Sequence, residues 1–253
     1  MTELPIAVTD LRESGLRLIR FGTSEFSSLA KTSLPASAVV PLTALLPFSV
    51  FLKNESAQTI IGYTVSWTST DASGTTYTDY RTVFDAITLK GLVAPNAARL
   101  VTILTSDPPP SSFVQDIAEE SDRLKNQASV SIALEAVMFD DGSVQGRDTS
   151  QSIEQMRARV RAEYDLYVRI ARLSESDAAV IPDLQLVSAS VKPGSKLVFG
   201  SNPYSEWYRF YAATSASSLL QLAKVKGVPE LLSYVRTTLV TKKYPSFVNT
   251  KKN

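Results

Sequence analysis

Hydrophobic and polar positions alternate most cleanly between Pro47 and Leu104. Phe48, Val50 and Leu52 interleave with Ser49 and Lys53, the two-residue period of a half-buried strand. Asn54, Glu55 and Ser56 then read as a turn. Next, Ile61, Tyr63, Val65 and Trp67 fall on one face, and Gly62, Thr64, Ser66 and Thr68 on the other. Asp71-Ala72-Ser73-Gly74 makes a hairpin connection, and Tyr77, Asp79 and Arg81 begin the return strand. Val83–Leu89 and Arg99–Leu104 supply two further short strands, separated by Lys90-Gly91 and Pro95-Asn96. Short strands at this spacing, with turn residues between them, predict a sandwich or barrel.

Flanking segments extend the pattern. Leu16–Phe21 and Ser37–Val40 add strands upstream, with Gly15 and Pro35 as punctuation. Downstream, Pro108-Pro109-Pro110 marks a rigid loop and Ser112–Lys125 a short acid-rich helix. Ser129–Phe139 returns to strand, with Val130, Ile132, Leu134, Ala136 and Met138 on one face and Asp140-Asp141-Gly142-Ser143 as its closing turn.

After Asp148 the period changes. Asp148 and Gln151 are spaced as at a helix start, and Ile153, Met156, Val160, Tyr164, Tyr167 and Ala171 recur every three or four residues. Leu184–Val191 and Lys196–Phe199 read as a second strand pair joined by Pro193-Gly194. Two helices follow, Ser215–Lys226 and Pro229–Lys242, divided by Gly227. The chain thus splits into a β-sandwich domain over 1–147 and a helix-rich region over 148–253. It stays a single domain if the strands of 184–199 complete the sandwich.

Three stretches carry a resemblance: Phe48–Asn54, the run Gly62-Tyr63-Thr64-Val65-Ser66-Trp67, and Pro95–Ile103. Together they resemble an immunoglobulin-like or fibronectin-III-like β-sandwich, of the kind found as accessory modules in bacterial exported proteins. The resemblance implies a core role for Trp67 and an architecture, not an activity. No cysteine pair accompanies Trp67, which excludes an antibody-type domain. The expected fold is therefore mainly β with added helices (α+β): an antiparallel immunoglobulin-like sandwich, a long amphipathic helix and a C-terminal helix pair.

Composition narrows the chemistry. The 253 residues include no histidine and no cysteine. This removes the usual general base near neutral pH, the commonest zinc ligand, the thiolate nucleophile and every disulfide. Hydrophobic content of 44% and charged content of 20% describe a folded globule, and a net charge of +1 gives no overall field to hold nucleic acid. With ten glycines, no phosphate-cradling glycine loop is legible. The longest apolar run, Leu42–Leu52, is about half a membrane span and is interrupted by Pro47. The start Met1-Thr2-Glu3-Leu4-Pro5 lacks the pattern of a signal peptide. A processed chain with a new initiator would read the same way, so periplasmic or extracellular placement is favoured in that case and cytoplasmic placement otherwise.

Five candidate sites remain. Arg157, Arg159, Arg161, Arg169 and Arg172 lie on the long helix, but Glu154, Glu163 and Asp165 interleave with them, which favours a solvated face. Leu222-Ala223, Gly227-Val228 and the following helix resemble the turn of a DNA-binding helix-turn-helix. Lys224, Lys226, Arg236, Lys242 and Lys243 would there be the phosphate contacts. Ser233 and Pro229 depart from that motif, so nucleic acid is the less favoured partner. Tyr204, Trp207, Tyr208, Phe210 and Tyr211 form the densest aromatic cluster. Exposed, Tyr204, Trp207, Tyr208 and Tyr211 would bind a glycan or protein partner; buried, they dock helices, and burial is the favoured reading. Asp140, Asp141 and Asp148 bracket a turn without the alternating ligands of a calcium loop. Glu135, inside an apolar strand, has no evident partner carboxylate.

No catalytic residue, metal or cofactor is assigned from sequence, and the oligomeric state stays open. The leading expectation is a non-enzymatic binding or structural protein with an unidentified ligand. Alternatives are nucleic-acid binding through the C-terminal helix pair, and glycan binding or carboxylate-dependent glycan hydrolysis.

Overall fold

The computed structural model describes residues 4–34, 42–86, 89–104, 114–173, 179–192, 197 and 202–248. The chain is mixed α+β and divides into two units, Met1–Asp85 with Gly91–Asp148, and Ala86–Lys90 with Thr149–Asn253.

Among the described residues, the first unit carries all the strands: β1 (Ile6–Thr9), β2 (Leu16–Arg20), β3 (Val50–Asn54), β4 (Ile60–Thr70), β5 (Thr76–Phe84), β6 (Ala98–Val101), β7 (Ser129–Phe139) and β8 (Val144–Gly146). Its helices are α1 (Ser24–Ser33) and α2 (Val114–Lys125). One sheet has the order β1-β7-β4-β5, with β8 also on β7; the other has the order β2-β3-β6. All these pairings are antiparallel except β1 on β7, which is parallel. Both sheets contribute to one hydrophobic core, from Leu16, Leu18, Val50, Leu52 and Val101 on one side and Tyr63, Val65, Trp67, Val130 and Ile132 on the other.

A register shift between Ile60 and Gly62 puts Ile60, not the expected Ile61, into that core, and Ile61 is buried outside the cluster. Beyond the shift, alternation places Tyr63, Val65 and Trp67 in the core and Thr64, Ser66, Thr68 and Thr70 on the opposite face. There Thr64, Thr68 and Thr70 meet Thr82, Thr78 and Thr76 across the strand pair at 2.8, 3.1 and 3.3 Å. The turn between them is held by Asp71, whose Oδ1 accepts from the Ser73 and Thr75 amides at 2.8 and 3.0 Å.

Strand β7 departs from the expected single apolar face. Thr64 pairs with Ala136 but Val65 pairs with Leu134, so Glu135 is an extra residue in the ladder. A one-residue bulge exchanges the faces of everything beyond it. Val130, Ile132 and Leu134 therefore share the core with Val137 and Phe139, and Ala136 and Met138 lie buried outside that cluster. Ser66 Oγ donates to the Glu135 carboxylate at 2.8 Å. Gly146 of β8 crosses so close to the bulge that a Cβ would stand 2.2 Å from the Glu135 carbonyl oxygen.

Other boundaries shift for local reasons. Phe48 belongs to a 3-10 turn over Leu46–Phe48 that opens on Pro47, and β3 starts only at Val50. Strand β5 continues to Phe84, so Val83 and Phe84 belong to it and not to a separate strand over 83–89; residues 87–88 lie outside the described set. The expected strand at Ser37–Val40 also lies outside it, as does the proline run 108–110.

Outside the core, Glu25 of α1 and Glu55 bracket Arg17 of β2 and Lys53 of β3, with four ion pairs of 2.9 to 3.1 Å. Lys53 and Arg17 hold the Glu25 carboxyl below the ordinary carboxylate range, and Arg17 and Lys53 do the same for Glu55. A depressed folded pKa stabilises the fold above the unfolded value of about 4.3 and loses that contribution as pH falls. Glu25→Gln is thus expected to cost about 0.2–1 kcal/mol at neutral pH, as exposed pairs do. It should also flatten the acid limb of a stability-against-pH curve measured by urea unfolding. An unchanged acid limb would show that these pairs carry no folding free energy.

The second unit is helical: α3 (Ser152–Ala171), α4 (Val180–Ser188), α5 (Tyr204–Lys226) and α6 (Val228–Thr241). Its core joins Leu166, Tyr167 and Ile170 to Val180, Leu184, Ala216, Leu219, Leu231, Leu232 and Val235. Helix α3 begins beside Gln151, which has φ +56° and no side-chain cap, so the Asp148/Gln151 pair is not a capping box.

The strand expected at Leu184–Val191 is corrected: residues Leu184–Ser188 are helix α4, with Val191 beyond its end. Val180, Leu184 and Val187 recur at helical spacing and face the core, whereas Leu186 is 70% exposed. Pro182 sits in the first turn, where its missing N–H costs nothing. Of its expected partner Lys196–Phe199, only residue 197 is described, outside any strand. Residues 184–188 therefore cannot complete a sheet.

Helix α5 starts at Tyr204, well before the expected Ser215, and stops at Gly227 (φ +89°), with Pro229 in the first turn of α6. Among the described residues no helix is long and apolar enough to cross a membrane.

Candidate functional site

A concavity of the first unit arises from how β1 and β2 are joined. These consecutive strands belong to different sheets, and the chain reverses between them through Gly15 (φ +72°). The reversal is tied where Leu11 and Leu16 exchange backbone hydrogen bonds of 3.1 and 3.3 Å. At the other end of the strands, Leu4–Ala7 and Arg20–Gly22 form opposite walls. With Pro47–Ser49, Lys125 and Ser129–Ile132 they line a cleft of about 1030 Å³, at the top of the range for small-molecule sites.

Buried hydrogen bonds hold the walls. Trp67 Nε1 donates to the Phe48 carbonyl at 2.8 Å. Ser49 Oγ donates to the Leu45 carbonyl and Ser121 Oγ to that of Ala44, both at 2.8 Å. The Val130 amide donates to the Pro5 carbonyl at 3.1 Å, fixing the N-terminal wall to β7. Phe48, Val130 and Ile132 are nearly fully buried core residues that form the floor, and Phe21, 43% exposed, stands at the lip with its ring edge on Phe26. Among the described residues, the cations Arg20 and Lys125 line the cleft and no carboxylate does. Lys125 also reaches the exposed Asp122 at 3.4 Å. Trp67 thus has a role beyond filling the core: its indole N–H positions a wall of the cleft.

The aromatic residues singled out in the sequence come together along α5, within the helical unit. Trp207 is 5% exposed and stacks on Tyr211 at 6.0 Å; Tyr204 and Tyr208 stack at 6.4 Å. Their polar ends are engaged by α3. Tyr208 donates to Asp165 at 3.0 Å, Gln155 donates to the Tyr211 hydroxyl at 2.6 Å, and Arg159 lies over the Tyr211 ring at 5.3 Å. Burial, with Asp165 adding to it, pushes the Tyr208 phenol up to about 12. These contacts dock α5 onto α3. Of the α3 arginines, Arg161 pairs with Asp165 at 2.8 Å and Arg169 with Asp183.

The cations of the C-terminal helix pair do not share one environment. Lys224, Lys226 and Lys243 are exposed. Arg236 is exposed too, but donates to the carbonyls of Ala171 and Leu173, satisfying acceptors at the end of α3. Lys242 is turned inward, its side chain 5% exposed, against Glu163 and the Ala86 carbonyl. Tyr244 donates to the same Glu163 at 3.0 Å and offers its ring to the Lys242 ammonium at 5.3 Å. Burial and the Glu163 charge raise the pKa of both Tyr244 and Tyr167, which keeps these phenols neutral. The connection from α5 to α6 is Gly227 alone, shorter than the three- to four-residue turn of a helix-turn-helix.

The acidic turn after β7 is a hairpin turn. Asp141 accepts from the Ser143 amide at 2.8 Å and from Gln58 at 2.6 Å, and the Ser143 bonds lower its pKa. Among the described residues no group of three acidic side chains is placed to hold a metal ion.

Sequence reasoning missed the cleft because five separate segments build it. Its one linear signal was the hydroxyl-and-glycine break at Gly15 between two short apolar runs, which marks a chain reversal but not a cavity. Comparison with models of known protein families, with curated proteins and with solved structures finds no match for this chain.

Proposed function

We propose that this chain is a binding protein without catalytic turnover, built on a two-sheet framework of the immunoglobulin-like type, and that its ligand occupies the cleft between β1 and β2. The carrying observation is the cleft itself: about 1030 Å³, floored by core residues, with walls held by buried hydrogen bonds. Walls that need no ordering on binding spare the ligand that entropic cost. Two sheets over one core support the immunoglobulin-like part of the reading, and the parallel β1–β7 pair is a departure from all-antiparallel pairing.

The neutral apolar probe N-phenyl-1-naphthylamine tests the reading. One molecule is expected to bind per chain with enhanced fluorescence. Ala7→Trp, at an exposed position on the cleft wall, is expected to weaken binding at least about tenfold, which corresponds to ~1.4 kcal/mol. Equal binding to the variant, or none to either protein, would sink the proposal.

A further inference from the structure

Resting on that reading, we infer that the ligand is an apolar chain ending in an anionic head group. The chain would lie along Leu4, Ile6 and Phe21, over a floor that includes Phe48 and Ile132, and the head group would meet Arg20, with Lys125 adding positive charge to the cleft.

Charge placement carries the inference. Arg17 and Arg20 lie on the same short strand, but Arg17 is occupied by Glu25 and Glu55. Among the described residues, no carboxylate lies within ion-pairing distance of the Arg20 guanidinium, and none lines the cleft. Arg20 is exposed at the end of β2, directly before Phe21, so it stands at the boundary between water and an apolar interior. A guanidinium there keeps its hydration until a ligand arrives, and then offers a planar fork to two oxygens of a carboxylate or phosphate. The partly exposed apolar lining at Leu4, Ile6 and Phe21 supplies affinity through area removed from water, without requiring a polar partner along the ligand's length. A cationic amphiphile meets like charge at the same place. A purely polar anion gains nothing from that apolar lining.

The experiment uses the full chain with decanoate, decyl phosphate, 1-decanol and decyltrimethylammonium, each displacing N-phenyl-1-naphthylamine. Both anions are expected to bind at least about tenfold more tightly than 1-decanol, the scale of one charge-assisted contact, and the cation more weakly than the alcohol. Arg20→Gln should bring the anions down to the affinity of the alcohol, and Arg20→Lys should restore part of the difference. In a ¹⁵N spectrum the indole N–H of Trp67 should shift on ligand addition, because its acceptor is the Phe48 carbonyl of the cleft wall. That of Trp207, in the other unit, should not. If the probe binds but the alcohol competes as well as the anions, the head-group inference is overturned while the cleft stands. If decanoate alone among the anions is preferred, the head group is a carboxylate; if decyl phosphate alone, a phosphate. If the probe does not bind, both fall together.

Discussion

Trp67→Ala is expected to lower the unfolding free energy of the β-unit by about 4 kcal/mol, the cost of truncating a large buried aromatic. The ring is fully buried and belongs to the cluster that receives side chains from both sheets. Its removal leaves a cavity that strands already fixed by their ladders cannot collapse to fill. The loss also has a polar part, since the Phe48 carbonyl forfeits the donor that reaches it at 2.8 Å. Trp67→Phe separates the two, because it keeps most of the packing and deletes the N–H; it should cost about 1–3 kcal/mol. Urea unfolding followed by far-UV circular dichroism measures both values, with Trp207 fluorescence reporting on the helical unit in the same samples. Should both variants cost less than about 1 kcal/mol, Trp67 would be neither the core anchor nor the support of the cleft wall.

The second large effect is expected at Lys242. Lys242→Met should destabilise the helical unit by about 3–5 kcal/mol, as the loss of one partner from a buried pair does. The side chains of Lys242 and Glu163 are only 5% and 18% exposed. Without the ammonium, Glu163 keeps the Tyr244 hydroxyl but no countercharge, and the Ala86 carbonyl loses a donor at 2.7 Å. The cost should be strongly non-additive. Adding Glu163→Gln to Lys242→Met removes the stranded charge, so the double variant should be less destabilised than the sum of the singles by at least about 1 kcal/mol. The same variant discriminates among the uses proposed for the lysine-rich tail. A phosphate-contacting lysine would lower nucleic-acid affinity with little change in stability; an inward structural lysine does the reverse.

Much of the β-unit was legible because strand burial has a strict period. The alternation Tyr63, Val65, Trp67 placed β4 and its core face, though a register shift puts Ile60 and not Ile61 on that face, and the Asp71–Gly74 turn placed its hairpin partner. The pattern failed where period and face part company. At Glu135 one extra residue exchanges the two faces of β7, and nothing in the run Leu134-Glu135-Ala136-Val137 announces it, because both registers bury apolar residues. Leu184–Ser188 shows the opposite ambiguity. Its apolar residues satisfy a period of two and one of three to four, and only the neighbouring helices, by burying Val180 and Leu184, choose the second.

Charged residues show the limit more sharply. Lys224, Lys226, Arg236, Lys242 and Lys243 are equivalent in a basic tail read as a string. In the folded unit Arg236 caps α3 and Lys242 is buried. The difference follows from which residues distant in sequence arrive beside each cation, such as Glu163 beside Lys242 and the Leu173 carbonyl beside Arg236.

By itself, then, the sequence determined what is local or exclusive: the strand and helix periods, the hairpin turns, and the absence of thiol and imidazole chemistry that follows from having no cysteine or histidine. Tertiary structure decided the phase of β7 and the helical state of Leu184. It also decided the inward course of Lys242 and the cleft that Arg20, Phe48 and Ile132 line together. The physical reason is the range of the interactions. Backbone period and turn preference act over a few residues, whereas burial, ion pairing and cavity shape depend on surfaces brought together across more than a hundred residues.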